Sequence, residues 1–140
     1  MSGAFRQYLC EWAGLHKGRY VVNAKVFIVD DDEAVRDSLR MLLESCGIDV
    51  EDFASTRDFM RKYRPGAHEC LLLDQHLPEF TGLEFLASPE RGALRLPVIL
   101  LTGRGDGAIR DRAYELGVRA YLEKPVPDDI LLKTIGQAIS

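Results

Sequence analysis

The chain has 140 residues, 46% hydrophobic and 29% charged, which is the size and composition of one globular domain and not of a disordered tail or a disulfide-built miniprotein. A net charge of −4 argues against the basic face that binding to a nucleic-acid backbone requires, and no apolar run approaches the ~20 residues of a membrane-spanning helix. The three cysteines, Cys10, Cys46 and Cys70, are odd in number and lack CxxC spacing. Reduced thiols are therefore expected, with neither a disulfide framework nor a zinc site. The first residues show no basic run before a long apolar stretch and no small-residue cleavage site, so no signal peptide is expected and a cytoplasmic location is.

Residues 1–24 carry Arg6, Lys17 and Arg19 against Glu11, a charge of +2, which leaves −6 for the remainder. Phe5, Tyr8, Leu9, Trp12 and Leu15 fall at i, i+3, i+4, i+7 and i+10, and Gly14 and Gly18 limit the stripe. The spacing predicts a short amphipathic helix in an N-terminal extension. Such a helix is marginal alone, so it is expected to dock on the acidic remainder or on a second copy. A tail without a structural role is the alternative.

From residue 25 to the end, apolar runs alternate with helical-period segments. Strands are predicted at 25–29, 49–53, 69–73, 97–101 and 120–122. Between the first two, Val35, Leu39, Leu42, Leu43 and Cys46 share one helical face, and Gly47 closes the helix. Further helices are predicted at 55–63, 81–87, 107–116 and 127–140. Thr81 with Glu84 reads as a capping box, and Gly117 and Pro127 mark a stop and a start. The alternation predicts an α/β fold, a doubly wound parallel sheet of five strands with helices on both faces. The continuously apolar runs at 26–29, 70–73 and 98–101 suit central strands covered on both sides, whereas 49–53 alternates and suits an edge.

Asp30, Asp31, Asp74, Thr102 and Lys124 each follow one of these apolar runs. Strands of a doubly wound sheet end at a common edge, where ligands bind at the point of order reversal. Any one of the five alone reads as a helix cap or turn residue, but together they are predicted to converge. Three carboxylates and one ammonium sum to −2 if all are ionised, and such crowding raises carboxylate pKa values. A divalent cation would relieve it. An oxygen-only ligand set suits magnesium, or manganese, and disfavours zinc. A cation beside a carboxylate, a hydroxyl and an ammonium describes phosphoryl transfer with an aspartate as acceptor.

Four segments in order now resemble a known series: Val29-Asp30-Asp31 followed by Arg36; Leu73-Asp74-Gln75-His76-Leu77-Pro78 with Gly82; Leu101-Thr102-Gly103; and Tyr121-Leu122-Glu123-Lys124-Pro125. They are similar to the motifs of response-regulator receiver domains, the CheY-like superfamily, over residues 25–139. The loop Thr102-Gly103-Arg104-Gly105-Asp106 is similar to that of FixJ-type regulators. The resemblance implies a flavodoxin-like sheet of order 2-1-3-4-5 in a receiver domain at 25–140.

It also implies roles in a two-component phosphorelay. Asp74 would accept a phosphoryl group from a sensor histidine kinase or phosphotransfer protein. Asp31, Asp74 and the main-chain carbonyl of His76 would hold magnesium, with Asp30 acting through water. Lys124 and Thr102 would bind phosphoryl oxygens, and Tyr121 would turn inward with Thr102. His76 and Arg104 occupy positions that tune phosphoryl lifetime, and Pro125 would follow a cis bond. The shifted surface would lie around the fourth and fifth helices and meet an output domain, another partner or a second copy. The chain would be free-standing or part of a longer regulator, with no direct contact to nucleic acid or membrane. It would be no enzyme beyond its own phosphorylation and dephosphorylation. Asp32 is read as the N-cap of the first helix, and His16 and His68 as surface residues. Two alternatives use the same residues: a degenerate receiver acting only as a protein-binding platform, and a magnesium-dependent hydrolase with an aspartyl nucleophile. The hydrolase is disfavoured because Asp74 is followed by Gln75 and His76, with no second acid two residues on.

Overall fold

The computed structural model describes residues 24–103 and 107–139. The aromatic stripe at residues 5–15, His16 and the Arg104 position lie outside the described residues. Five strands, β1 (Lys25–Val29), β2 (Asp49–Phe53), β3 (Glu69–Asp74), β4 (Val98–Thr102) and β5 (Ala120–Glu123), form one sheet of order β2-β1-β3-β4-β5. Every neighbouring pair is parallel. Between and after them run α1 (Glu33–Ser45), α2 (Thr56–Lys62), α3 (Gly82–Ala87), α4 (Gly107–Glu115) and α5 (Asp128–Ile139). The expected class and strand order are both found. β2 and β3 flank β1, so strand order reverses between β1 and β3, the edge position where an open α/β sheet leaves a crevice.

Successive strand residues point to opposite faces, and both faces are covered. On one side Val26, Ile28, Cys70, Leu72, Ile99 and Leu101 pack under α1 and α5 through Leu42, Leu43, Leu131, Leu132 and Ile135. On the other, Phe27, Val29, Leu71, Leu73, Val98 and Leu100 meet Phe59, Phe85, Leu86 and Ala113 of α2, α3 and α4. That double cover is why these runs are apolar at every position. Phe27, Phe53, Phe59 and Tyr63 pack mostly edge to face, with centroids 5.2–6.5 Å apart, and the Tyr63 hydroxyl accepts the Arg95 amide at 2.9 Å.

Helix ends follow their local chemistry. The Asp32 carboxylate caps α1 by accepting the Ala34 amide at 2.9 Å. After α1, Gly47 adopts φ 78°, and the Gly47 and Ile48 amides return to the Glu44 and Leu43 carbonyls, a closure that favours glycine. Thr81 and Glu84 form the reciprocal box that the sequence predicts before α3.

Three differences from expectation stand out. β3 and β4 run on through Asp74 and Thr102, because the parallel ladder pairs Asp74 with Leu101 and Thr102 with Glu123. A 3-10 helix at Pro89–Ala93, too short to show periodicity, follows α3. The thiol expectation holds for Cys70, which is free, buried and pushed up to about 12 by that burial. It fails for Cys46, which is in a disulfide. Among the described residues, no helix is long and apolar enough to cross a membrane.

Candidate functional site

β1 ends at Val29 and delivers Asp30 to the crevice. The Asp30 amide still bonds the Phe53 carbonyl at 3.1 Å, extending the sheet by one residue. Asp30 is 2% exposed, and its Oδ1 accepts the Asp32 amide at 2.9 Å, which turns the chain into α1 and leaves Asp31 exposed between two anchored neighbours. Asp74 closes β3 on the adjacent strand, 5% exposed. Asp30, Asp31 and Asp74 each offer one carboxylate oxygen, and these three lie within 4.8 Å of one another.

The Lys124 amide bonds the Thr102 carbonyl at 2.7 Å, which carries β5 one step past its end. From there the Lys124 ammonium donates to Asp30 Oδ2 at 3.0 Å and to Asp74 Oδ1 at 3.2 Å. The Lys124–Pro125 peptide is cis, as expected. Thr102 is fully buried, and its Oγ1 lies 3.3 Å from Nε2 of His76. Tyr121 pairs with Leu100 across β4 and β5, so it shares a sheet face with Thr102 two residues on. The structure thus brings together Asp30, Asp31, Asp74, Lys124, Thr102 and His76, with Tyr121 beside them.

The loop after β3 is drawn tightly against Asp74. The Gln75 amide bonds the Leu101 carbonyl at 2.8 Å, while its side-chain Oε1 accepts the Leu83 amide at 2.9 Å. At Gly82 a Cβ would lie 2.7 Å from Leu100 Cδ1 and 2.9 Å from the Asp74 carbonyl. Glycine permits that approach and so seats α3 beside the acid.

Burial, then the Asp30 charge, pushes the Asp74 pKa up against the opposing pull of Lys124 and the His76 amide. For Lys124, burial works to lower the pKa, but the bond to Asp30 and the charge of Asp74 outweigh it and hold the ammonium above its ordinary value. The pocket therefore holds hard oxygen donors with more negative charge than one ammonium cancels. That donor set fits a divalent, oxygen-preferring cation. Chemically, it presents a buried carboxylate beside a fixed ammonium and a hydroxyl.

One set of contacts has no forerunner in the sequence pattern. The Arg36 guanidinium donates through Nη1 to the Asp30 carbonyl at 2.7 Å and through Nε to Asp52 Oδ2 at 2.9 Å. Arg40 donates to the other oxygen of Asp52 and to the Val50 carbonyl, the latter at 3.1 Å. Asp52 lies on β2, sixteen residues beyond Arg36, and only the pairing of β2 with β1 brings them together.

A family model described as the response regulator receiver domain matches residues 26–136. Among curated proteins, the chain is 37% identical over 140 residues to nodulation protein W of Bradyrhizobium diazoefficiens, a match covering 99% of this chain and 59% of that protein. It is 36% identical over 114 residues to the transcriptional regulatory protein FixJ of Azorhizobium caulinodans, covering 81% and 54% respectively. The chain thus spans a little over half the length of these curated relatives. Among solved structures, the response regulator StyR superposes with a TM-score of 0.75 at 36% identity, over 84% of this chain and 60% of that one. The chemotaxis protein CheY4 of Vibrio cholerae gives 0.74 at 27% identity, over 84% and 99%.

Proposed function

The chain belongs to the family of response regulator receiver domains, modules of two-component signalling, and from that premise we propose that it is a phosphorylation switch whose acceptor is Asp74. The observation that carries this reading is the bridge of Lys124 across Asp30 and Asp74, with an Asp31 oxygen in the same cluster. A sensor histidine kinase or phosphotransfer protein supplies a phosphohistidine. A carboxylate oxygen of Asp74 forms the new bond to phosphorus, the phosphorus–nitrogen bond breaks, and the imidazole leaves with that electron pair.

Asp31 and Asp74, the main-chain carbonyl of His76, and Asp30 through a water would hold magnesium, with manganese as a substitute. When bound, this cation neutralises charge on the phosphoryl oxygens. Lys124 exchanges one of its carboxylate bonds for a phosphoryl oxygen, and the Thr102 hydroxyl leaves His76 to donate to another. Tyr121 follows Thr102 on the shared face, and the change is read around α4 and α5 by an output domain, another partner or a second copy. His76, already against Thr102, sets how readily that hydroxyl is released. Arg104 is assigned the corresponding tuning role. Residues 1–24 are assigned a docked amphipathic helix, the chain acts on no substrate but itself, and its place is the cytoplasm.

Intact mass after incubation with magnesium and acetyl phosphate tests the acceptor. The wild-type chain is expected to gain one phosphoryl group and Asp74→Asn none. An equal adduct on the Asn variant would move the acceptor elsewhere, and no adduct on either chain would favour a receiver that only binds proteins.

A further inference from the structure

We infer that Arg36 is a positioning residue for the acidic pocket: held by Asp52, its guanidinium fixes the peptide between Asp30 and Asp31 and thereby aims the Asp31 carboxylate. The inference rests on the reading of Asp30, Asp31 and Asp74 as a cation site.

Asp30 is pinned at four atoms. Its amide donates to Phe53, Oδ1 accepts from Asp32, Oδ2 accepts from Lys124, and its carbonyl accepts from Arg36 at 2.7 Å. Asp31 has no such anchors. It is exposed, and among the described residues no hydrogen bond holds its side chain. Its orientation is inherited from the peptide that precedes it, because the Asp30 carbonyl and the Asp31 amide share one rigid plane. Arg36 is the group that grips that plane from the helix side.

Arg36 is itself held from the sheet. Asp52 Oδ2 takes its Nε at 2.9 Å while Oδ1 takes Arg40, so one carboxylate on β2 receives guanidiniums from successive turns of α1. Arg40 also donates to Glu44 Oε2 at 3.2 Å. The Arg36 and Asp52 side chains are 15% and 21% exposed, which limits solvent competition for the bridge. A guanidinium can serve a carbonyl and a carboxylate at once because its donors point in fixed, diverging directions in one plane. A lysine ammonium is a compact charge without the separated Nε and Nη1 donors of that fork, so it cannot reproduce this divergent pair of contacts. The geometry thus forms a relay from β2 through α1 to the loop carrying Asp31.

Charge alone makes the opposite prediction. A cation beside three carboxylates weakens their hold on a second cation, so if Arg36 acted only by charge, its neutral replacement would tighten magnesium binding. Positioning predicts weaker binding. Groups that orient metal-holding residues cost about ten-fold or more in affinity when removed.

The test is magnesium titration of the full chain, followed by NMR at the Asp31 amide, with wild type, Arg36→Lys, Arg36→Gln and Asp52→Asn in parallel. Affinity is expected to fall about ten-fold in both Arg36 variants, including the lysine variant that keeps the charge, and by a smaller factor in Asp52→Asn. Without metal, the Asp30 carbonyl-carbon and Asp31 amide-nitrogen resonances are expected to move in all three variants. Unchanged affinity in Arg36→Lys together with tighter binding in Arg36→Gln would overturn the proposal. If Arg36→Gln fails to fold, Asp52→Asn decides, since it leaves Arg36 in place and takes away the charged anchor that Arg36 shares with Arg40. If wild type takes no magnesium, the cation reading fails, and the positioning claim then stands or falls on the metal-free resonances.

Discussion

Asp74 is a carboxylate that the fold makes costly to ionise. Burial and the Asp30 charge raise its pKa above the unfolded value, so its favourable contribution is complete below the unfolded pKa and is lost as the pH rises through the folded one. At neutral pH without metal, Asp74→Asn is therefore expected to melt a few degrees higher than wild type, a gain on the order of 1 kcal/mol. The advantage should shrink on acidification and vanish below about pH 4, where both states carry a protonated Asp74. Thermal melts of the two chains across that range check the sign; an advantage that grows in acid would contradict it. Asp52 runs the other way. Burial raises its pKa, but Arg40 and Arg36 outweigh that and hold it low. Its contribution is present above the unfolded pKa and is lost as the pH falls through the folded one, and Asp52→Asn should forfeit about 1 kcal/mol at neutral pH. The melting temperatures of Asp52→Asn and wild type should converge in acid. At this scale the five strand-end residues were legible because polar side chains directly after apolar runs are conspicuous. The partner of Arg36 was not, since nothing in a linear pattern says which residue of β2 lies beside α1.

α4 and α5 show how unevenly elements of one sheet are secured. α5 buries six of its residues, Leu131, Leu132, Ile135, Gly136, Ala138 and Ile139, whereas in α4 Ala113 alone is buried among the nine residues from Gly107 to Glu115. Helices with few buried apolar contacts open first. α4 follows the β4 end that carries Thr102, so a weakly anchored helix comes directly after the strand whose hydroxyl is assigned to sense phosphorylation. Its amides are expected to exchange with solvent faster than those of α5, and phosphorylation should change that exchange in wild type but not in Thr102→Ala, which should still accept the phosphoryl group. Equal changes in both chains would break the link between Thr102 and α4. The identity of the described strands and α-helices was legible, with boundaries one or two residues off where backbone pairing outlasts apolar side chains, as at Asp74 and Thr102. The stretch from Pro89 to Ala93 was not legible, because one turn of helix has no period to show.

For the whole molecule, the single tryptophan, Trp12, falls within residues 1–24, so its emission tests the docked helix proposed there. A blue-shifted spectrum is expected for a docked helix, and a fully solvent-like one would remove that role. The fold class was legible from alternation and the charge split from composition, but what the extension packs against is a question of surfaces, which periodicity does not address. The core itself consists of two apolar clusters on opposite faces of one sheet. Ile135→Val on one face should cost about 1 kcal/mol, and Phe59→Leu on the other about 1–3 kcal/mol. Chemical denaturation of the double variant is expected to return the sum of the two within about 0.5 kcal/mol, and a larger coupling would show that the sheet transmits packing strain. Where additivity holds, the two faces drift independently under mutation. Helices on one side can be reshaped for a new partner while the tolerance for change on the other side stays as it was.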